Sequence, residues 1–236
     1  MYVWPFRLLT PTMQRPLLLG TGQQGPSTMA GLPGQVLNLS GGGFWQIECA
    51  FSAKTPDQIR ALRAWGAYLD KGATEFILPL IDLKFAPRPI TAGAPAKPGI
   101  AAAATDYFSE EAGYGSQLIV ASAYASATLR ATSIQITISQ GSSPQGGEHF
   151  SIEHETAGWR LYRISRVTAR SGNRFTCEIR PPLREAVSES DTIEFDMPRC
   201  VMRITPDKAD DMELAISLLK IGGSVSTSFF ESFDSV

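Results

Sequence analysis

The sequence has few of the residues on which most enzymes depend. Among 236 residues there are two histidines, His149 and His154, and three cysteines, Cys49, Cys177 and Cys200. The cysteines are odd in number and far apart, so they form neither a metal-ligand spacing nor a disulfide framework, which suits synthesis in a reducing cytoplasm. We interpret them as buried structural thiols.

The remaining catalytic patterns are also missing. The two histidines lie five residues apart in a predicted strand, so they point to opposite faces and do not bind one metal together. The acidic residues around them, Glu148, Glu153 and Glu155, are adjacent in sequence and indicate a solvated face rather than the paired carboxylates of a glycosidase. No serine lies in a G-x-S-x-G nucleophile elbow. We therefore expect no enzymatic activity, no metal and no cofactor.

Long apolar runs and a strong charge imbalance are absent as well. No stretch reaches the ~20 apolar residues of a membrane-spanning helix, and the apolar N-terminus is interrupted by Pro5, Pro11 and Pro16, unlike a signal peptide. The formal net charge of −2 argues against a basic footprint for nucleic acid over the whole chain. The glycine-rich segment 20–43 lacks the Lys-Ser/Thr of a phosphate-binding loop and predicts loops around one short strand, 35–39.

The clearest pattern in the sequence is a strand, a helix and a strand over residues 44–81. Alternation over 44–51 places Trp45, Ile47, Cys49 and Phe51 on one apolar face. Thr55, Pro56 and Gln58 then have the positions of an N-cap, a first-turn proline and a capping box. A helix over 56–71 follows, ending at Gly72, and a second strand covers 75–80. The helix has an apolar stripe that we expect to pack on the sheet: Ile59, Leu62, Gly66 and Leu69.

The composition and strand pattern of the sequence change after residue 85, and the first pattern returns near Pro198. Residues 86–104 are rich in proline, alanine and glycine and indicate a connector. Short strands separated by turn residues follow, at 117–124, 126–130, 133–139, 148–154, 159–168, 174–180 and 192–196. They predict an inserted antiparallel β barrel or sandwich over 105–197, within a first domain made of 1–85 and 198–236. The predicted fold is mainly β (α+β): a split, belt-like β domain with one packed helix, plus the inserted β domain.

The two ends of the chain are predicted to carry the contacts of the first domain. A strand is expected at 200–204, followed by a hairpin of strands at 212–218 and 225–231, although a helix over 209–219 is the competing interpretation. The N-terminal arm has large apolar residues among prolines, and we expect it to pack on its own domain or on a neighbouring chain. The candidate contacts between subunits are Trp4, Phe6, Leu8, Phe229 and Phe230.

Three stretches together resemble the distal tail proteins, or tail-tip hubs, of long-tailed bacteriophages and gene transfer agents. They are FWQIECAF with TPDQIRALRAWGAYLDKGATEFILPL, GWRLYRISRV with FTCEIRPPLREAVSESDTIEFDMPRCVMRI, and MELAISLLKIGGSVSTSFFE. The resemblance implies a belt domain built from both chain ends and an inserted β domain that faces outwards. It also implies a structural virion protein, a homo-hexameric ring that joins the tail tube to the distal tip or baseplate.

Partners and location follow from the same resemblance. It implies contacts with the tail tube protein and with tail-tip hub or fibre proteins, and a lumen through which the genome passes without specific binding. The protein would be made in the host cytoplasm and located in the virion.

A carbohydrate-binding module is the alternative function. Trp159, Arg160 and Tyr162 offer rings and a cation that could stack on a host glycan, although alternating aromatic residues also fit a core. The one local basic concentration is a set of arginines whose simplest interpretation is a solvated face balanced by Glu178, Glu185 and Glu189: Arg160, Arg163, Arg166, Arg170 and Arg174.

Overall fold

A computed structural model describes most of the chain, and the chain forms two compact units. The first consists of Met1–Pro79 and Val201–Asp234, and the second of Leu80–Cys200. The sequence-based expectation had placed the two boundaries at 85 and 198. The described residues are 1–24, 36–38, 42–82, 85–87, 90–91, 94–95, 119–217 and 223–233. The start of the predicted inserted domain, 105–118, and most of the predicted connector lie outside them.

The described residues are mainly in strands. In chain order these strands are β1 (Tyr2–Val3), β2 (Pro11–Leu19), β3 (Gly22–Gln24), β4 (Val36–Asn38), β5 (Phe44–Ala53), β6 (Phe76–Pro79), β7 (Ile90–Thr91), β8 (Ala94–Pro95), β9 (Val120–Ala123), β10 (Ser133–Gln140), β11 (His149–His154), β12 (Gly158–Ser171), β13 (Arg174–Arg180), β14 (Thr192–Glu194), β15 (Arg199–Ile204) and β16 (Gly223–Glu231). The helices are α1 (Pro56–Tyr68) and α2 (Pro206–Ser217). In the described part of the chain neither is long and apolar enough to cross a membrane.

The first unit is built on a six-stranded mixed sheet with the order β1-β6-β15-β16-β5-β2. As predicted, β5 alternates along its whole length, with Trp45, Ile47, Cys49, Phe51 and Ala53 buried. The strand β16 pairs with β5 over eight residues and contributes Val225 and Phe229 to the same apolar face. The core of this unit therefore lies on one side of the sheet.

Helix α1 begins as predicted. Thr55 accepts a hydrogen bond from the Gln58 amide, and the Gln58 side chain accepts one from the Thr55 amide, which completes the capping box. Ile59, Leu62 and Leu69 of the predicted stripe are buried. The α-helix ends earlier than expected, at Tyr68, and a 3-10 turn over Asp70–Gly72 follows. At Gly72 a side chain is impossible, because φ is +95° and a Cβ would lie 2.1 Å from the Ile204 carbonyl oxygen.

The predicted strand at 212–218 is wrong, because residues 206–217 form helix α2. Pro206 occupies the first turn, and the Ala209 amide donates to the Thr205 carbonyl. Met212 and Ile216, four residues apart, are both buried. Residues 218–222, which include most of the predicted turn, lie outside the described residues, and β16 begins at Gly223. The described residues therefore contain two α-helices where the sequence predicted one.

The second unit contains a closed antiparallel barrel of six strands, in the order β10-β13-β12-β11-β14-β9. This confirms the predicted antiparallel β architecture as a barrel rather than a sandwich. The predicted strand at 126–130 is not formed; that segment makes an isolated bridge between Ala127 and Val187. The strands β12 and β13 are joined by a two-residue hairpin loop, with Ser171 opposite Arg174 and Gly172 at φ +61°. Alternating inward side chains such as Ile136, Phe150 and Ile164 fill the barrel.

Candidate interaction surfaces

Trp4, the first of the predicted contact residues, lies in the core of its own unit. Its side chain is 1% exposed, and its ring stacks on Phe51 at 4.6 Å between centroids and contacts Trp65 at 5.0 Å. Its indole N–H donates to the Leu9 carbonyl at 3.1 Å, and its amide donates to the Ile77 carbonyl at 2.9 Å. Trp4 therefore packs on its own unit, which is one of the two alternatives expected for the N-terminal arm.

The other four predicted contact residues divide into core and surface. Phe229 is fully buried and packs edge-on against Phe76 at 5.0 Å. Phe230, the next residue, points to the opposite face of the sheet, where its ring is 6.3 Å from that of Phe44. Phe6 is partly buried, and Leu8 is 42% exposed. Phe6, Leu8 and Phe230 are thus the members of this set with surface to offer a partner.

Strand β2, in the N-terminal arm, forms one edge of the first-unit sheet. It pairs along its length with β5, antiparallel, and within the described residues no strand pairs with its other side. Met13 is 47% exposed and Leu19 is 37% exposed. The backbone groups of β2 that face away from β5 therefore lie beside apolar side chains, and only Pro11 and Pro16 have no amide hydrogen to donate there. Such an edge is a template for pairing with another chain.

The opposite edge of the same sheet is short. β1 has only two residues and pairs in parallel with β6, and both Tyr2 and Val3 are exposed. The Tyr2 ring contacts Tyr68 of α1 edge-on at 5.3 Å. The two edges of the sheet therefore differ in length and in composition.

The sheet face opposite the core is partly apolar near β2. By register, Leu17 of β2 and Phe230 of β16 both lie beside Gln46 of β5, and Leu19 lies beside Phe44. None of these five side chains is buried. This open face continues the exposed apolar surface of the β2 edge.

The predicted glycan site in the second unit is not formed by its three residues. Tyr162 is fully buried and stacks on Phe150, and Arg160 is 3% exposed. Trp159 is half-buried, and the Arg199 guanidinium lies over its ring at 4.6 Å from the centroid. A sugar ring therefore finds no open aromatic platform at these positions.

The histidines of the second unit have structural partners. His149 Nδ1 lies 2.7 Å from an Asp82 carboxylate oxygen. His154 Nε2 lies 2.7 Å from the Tyr162 hydroxyl, which accepts a hydrogen bond from the Arg184 amide at 3.0 Å. Burial lowers the pKa of His154 to about 4, so the ring is neutral at pH 7 and accepts the Tyr162 proton.

Two carboxylates of the second unit, those of Glu148 and Glu185, hold backbone segments in place through hydrogen bonds. The Glu148 carboxylate accepts hydrogen bonds from the Gln145 and Gly146 amides, at 2.5 and 2.6 Å. Glu185 accepts from the Thr156 and Ala157 amides and from the Thr156 hydroxyl, and these bonds hold the turn between β11 and β12. Both carboxylates therefore have a structural role that the sequence pattern did not indicate.

The comparisons with known proteins give no independent identification: no protein-family model matches the chain, and no curated protein matches it significantly.

Proposed function

We propose that the chain is a structural subunit of a bacteriophage tail tip, which pairs with copies of itself through the edges of its first-unit sheet to form a ring. The observation that carries the proposal is the β2 edge, with its outward backbone groups and its exposed Met13 and Leu19. A nine-residue edge strand with exposed apolar side chains is a ready template for pairing with another chain.

A neighbouring strand added at the β2 edge supplies both main-chain hydrogen bonds and buried apolar area. Main-chain hydrogen bonds across the new strand pair contribute affinity, each about 0.5–1.5 kcal/mol net. Side chains on the open face, Leu17, Leu19, Phe44 and Phe230, then add buried apolar area at about 25 cal/mol per Å². Phe6 and Leu8 remain as further members of the proposed interface.

The two sheet edges differ, and in the proposed assembly the β2 edge of one copy pairs with the β1 edge of the next, head to tail. Such a heterologous contact closes into a ring or continues as a filament. The resemblance to distal tail proteins favours a closed sixfold ring that joins the tail tube protein to the tip or baseplate proteins. In that setting the genome passes through the lumen without specific binding, the protein is located in the virion after synthesis in the host cytoplasm, and no catalysis is required.

The test is the mass of the full chain and of one double variant by mass photometry. We expect the full chain to form a single closed species of six subunits. Met13→Glu with Leu19→Glu places two carboxylates at the edge where a neighbouring strand must approach, so this variant should be monomeric. Both positions are exposed in the folded chain, so circular dichroism should remain unchanged.

Leu129→Glu is the matched control, since Leu129 is 55% exposed but lies in the second unit. This variant should assemble as the wild-type chain does. A full chain that remains monomeric at high concentration, or a double variant that keeps the ring, would contradict the proposal. Truncation of the N-terminal arm is a poor substitute, because it removes Trp4 from the core.

A further inference from the structure

The outer face of the barrel has an uneven distribution of charge. Strands β12, β13, β10 and β9 are neighbours, and their residues in register alternate between the barrel interior and this outer face. On β13, for example, Phe175, Cys177 and Ile179 are buried, whereas the residues between them are not. We call the outward residues of these four strands the arginine face.

The arginine face carries more positive than negative charge. Its outward charged residues in the described part of the chain are Arg163 and Arg166 on β12 and Arg174, Glu178 and Arg180 on β13. The outward residues of β10 and β9 are uncharged, and those of β10 are Ser133, Gln135, Thr137 and Ser139. This excess occurs in a chain whose formal net charge is −2.

The sequence had suggested that Glu178, Glu185 and Glu189 balance these arginines, and of the three only Glu178 lies on one of these four strands. Arg166 makes two hydrogen bonds to Glu178, at 2.8 and 2.7 Å, and this guanidinium lowers the pKa of the Glu178 carboxyl. Glu185 is not on the face, because its carboxylate holds the turn between β11 and β12. The charges of Arg174 and Arg180 therefore have no carboxylate opposite them in the register.

Two further features describe how the cations of this face are placed. Arg163 lies directly opposite Arg180 of β13 on one side and opposite His149 of β11 on the other. The Arg174 guanidinium lies 3.9 Å from the centre of the Tyr124 ring and donates to its hydroxyl at 2.7 Å. This double contact holds the cation in a fixed position at the surface.

We propose that the arginine face binds an anionic polysaccharide. Guanidinium groups pair with sulfate, phosphate or carboxylate groups along a polymer, and the hydroxyl and amide side chains of β10 hydrogen-bond its sugar hydroxyls. Single-stranded nucleic acid fits less well, because it needs open aromatic faces for its bases. Trp159 of β12 and Tyr124, which follows β9, are each already covered by a guanidinium, that of Arg199 and that of Arg174. The site lies in the second unit and is independent of the ring proposed above.

The test measures binding of the full chain to dextran sulfate, with unsubstituted dextran of the same length as the uncharged reference. We expect binding to dextran sulfate only, with an affinity that falls as salt is raised because the contacts are screened. Arg174→Gln with Arg180→Gln removes two exposed cations and should weaken binding by about fivefold to tenfold. Glu178→Gln removes the one carboxylate of the face and should tighten binding by a few-fold.

The opposite signs of these two effects separate charge from damage to the fold, which would weaken binding in both variants. Arg60→Gln, an exposed arginine of α1 in the first unit, is the matched control and should bind as the wild-type chain does. The proposal is overturned by equal binding to unsubstituted dextran, by wild-type affinity in the double arginine variant, or by weaker binding after Glu178→Gln. Tighter binding to a 30-residue oligothymidine than to dextran sulfate would overturn the choice of a polysaccharide. Ring formation is measured separately, so either proposal can fail alone.

Discussion

At the scale of single residues, the second unit keeps a neutral histidine inside a chain of hydrogen bonds. The Arg184 amide donates to the Tyr162 hydroxyl, which leaves the hydroxyl proton free to bond His154 Nε2. Protonation of His154 would replace this acceptor by a donor. Burial is the main cause of its low pKa; Arg160 lowers it further, and Glu185 and Asp191 oppose the shift.

This histidine should make the protein less stable in acid. Its pKa is 6.5 in the unfolded chain and about 4 in the folded one, so between these values the unfolded state binds more protons and stability falls as pH falls. Over that window the loss should reach roughly 3 kcal/mol. Urea titrations at pH 7 and pH 4.5, followed by circular dichroism, measure it.

His154→Gln keeps a hydrogen-bond acceptor for Tyr162 but does not titrate, so the difference in unfolding free energy between the two pH values should shrink. His149→Gln is the comparison, since it removes the other histidine and leaves this contribution in place. An unchanged pH dependence in His154→Gln would assign the effect to other groups.

Some residue-scale features could be predicted from sequence and others could not. The capping box of Thr55 and Gln58 was predictable because its partners are three residues apart. The burial of Trp4 was not, because the ring is enclosed by Phe51, Phe76 and Phe229, which come from distant parts of the chain. Nor could Glu185 be assigned to a turn 28 residues away.

At the scale of secondary-structure elements, the error at α2 has a physical cause. Met212, Leu214 and Ile216 alternate with polar residues, which fits a strand, but Met212 and Ile216 also have helical spacing, and these two are buried. Intrinsic propensity favoured the helix. The second strand of the predicted hairpin does form as β16, which begins at Gly223, but it is an inner strand of the sheet that pairs with β15 and β5.

The contact between the two helices gives a prediction at this scale. Gly66 of α1 faces Ile216 of α2, and a Cβ placed on Gly66 would lie 3.6 Å from the Ile216 Cδ1, an ordinary van der Waals distance. Gly66→Ala should therefore raise the free energy of unfolding by about 1 kcal/mol, because alanine has the higher helix propensity and space for its methyl group exists. A urea titration at pH 7 measures the change.

Ala67→Gly, at the next and exposed position of the same helix, is the reverse control and should lower the free energy of unfolding by about 1 kcal/mol. If Gly66→Ala destabilises the protein instead, the helices approach each other too closely at this point for a methyl group.

At the scale of the whole molecule, the chain enters and leaves the second unit at neighbouring points. β6 and β15 are adjacent in the sheet of the first unit, and the Leu80 amide donates to the Pro198 carbonyl at 2.7 Å. The change of composition after residue 85 and near Pro198 predicted an inserted domain, because the connector and the barrel differ in composition from the flanking parts of the chain. The exact crossing points depend on strand pairing and could not be predicted.

The last prediction follows from this geometry. The core of the first unit is made by both of its segments, as the contacts of Trp4 and Phe76 with Phe229 show. A chain in which a four-residue Gly-Gly-Ser-Gly linker replaces residues 81–197 should therefore fold, since the linker joins two backbone points that are already hydrogen-bonded. It retains Trp4, Trp45 and Trp65, whose packed rings should give a near-ultraviolet circular dichroism signal and a cooperative urea transition.

A matched chain with the same linker and Phe229→Ala, which empties the centre of that aromatic cluster, should lose about 3–5 kcal/mol of stability. If the shortened chain shows no near-ultraviolet signal and no cooperative transition, the first unit depends on the barrel for its folding.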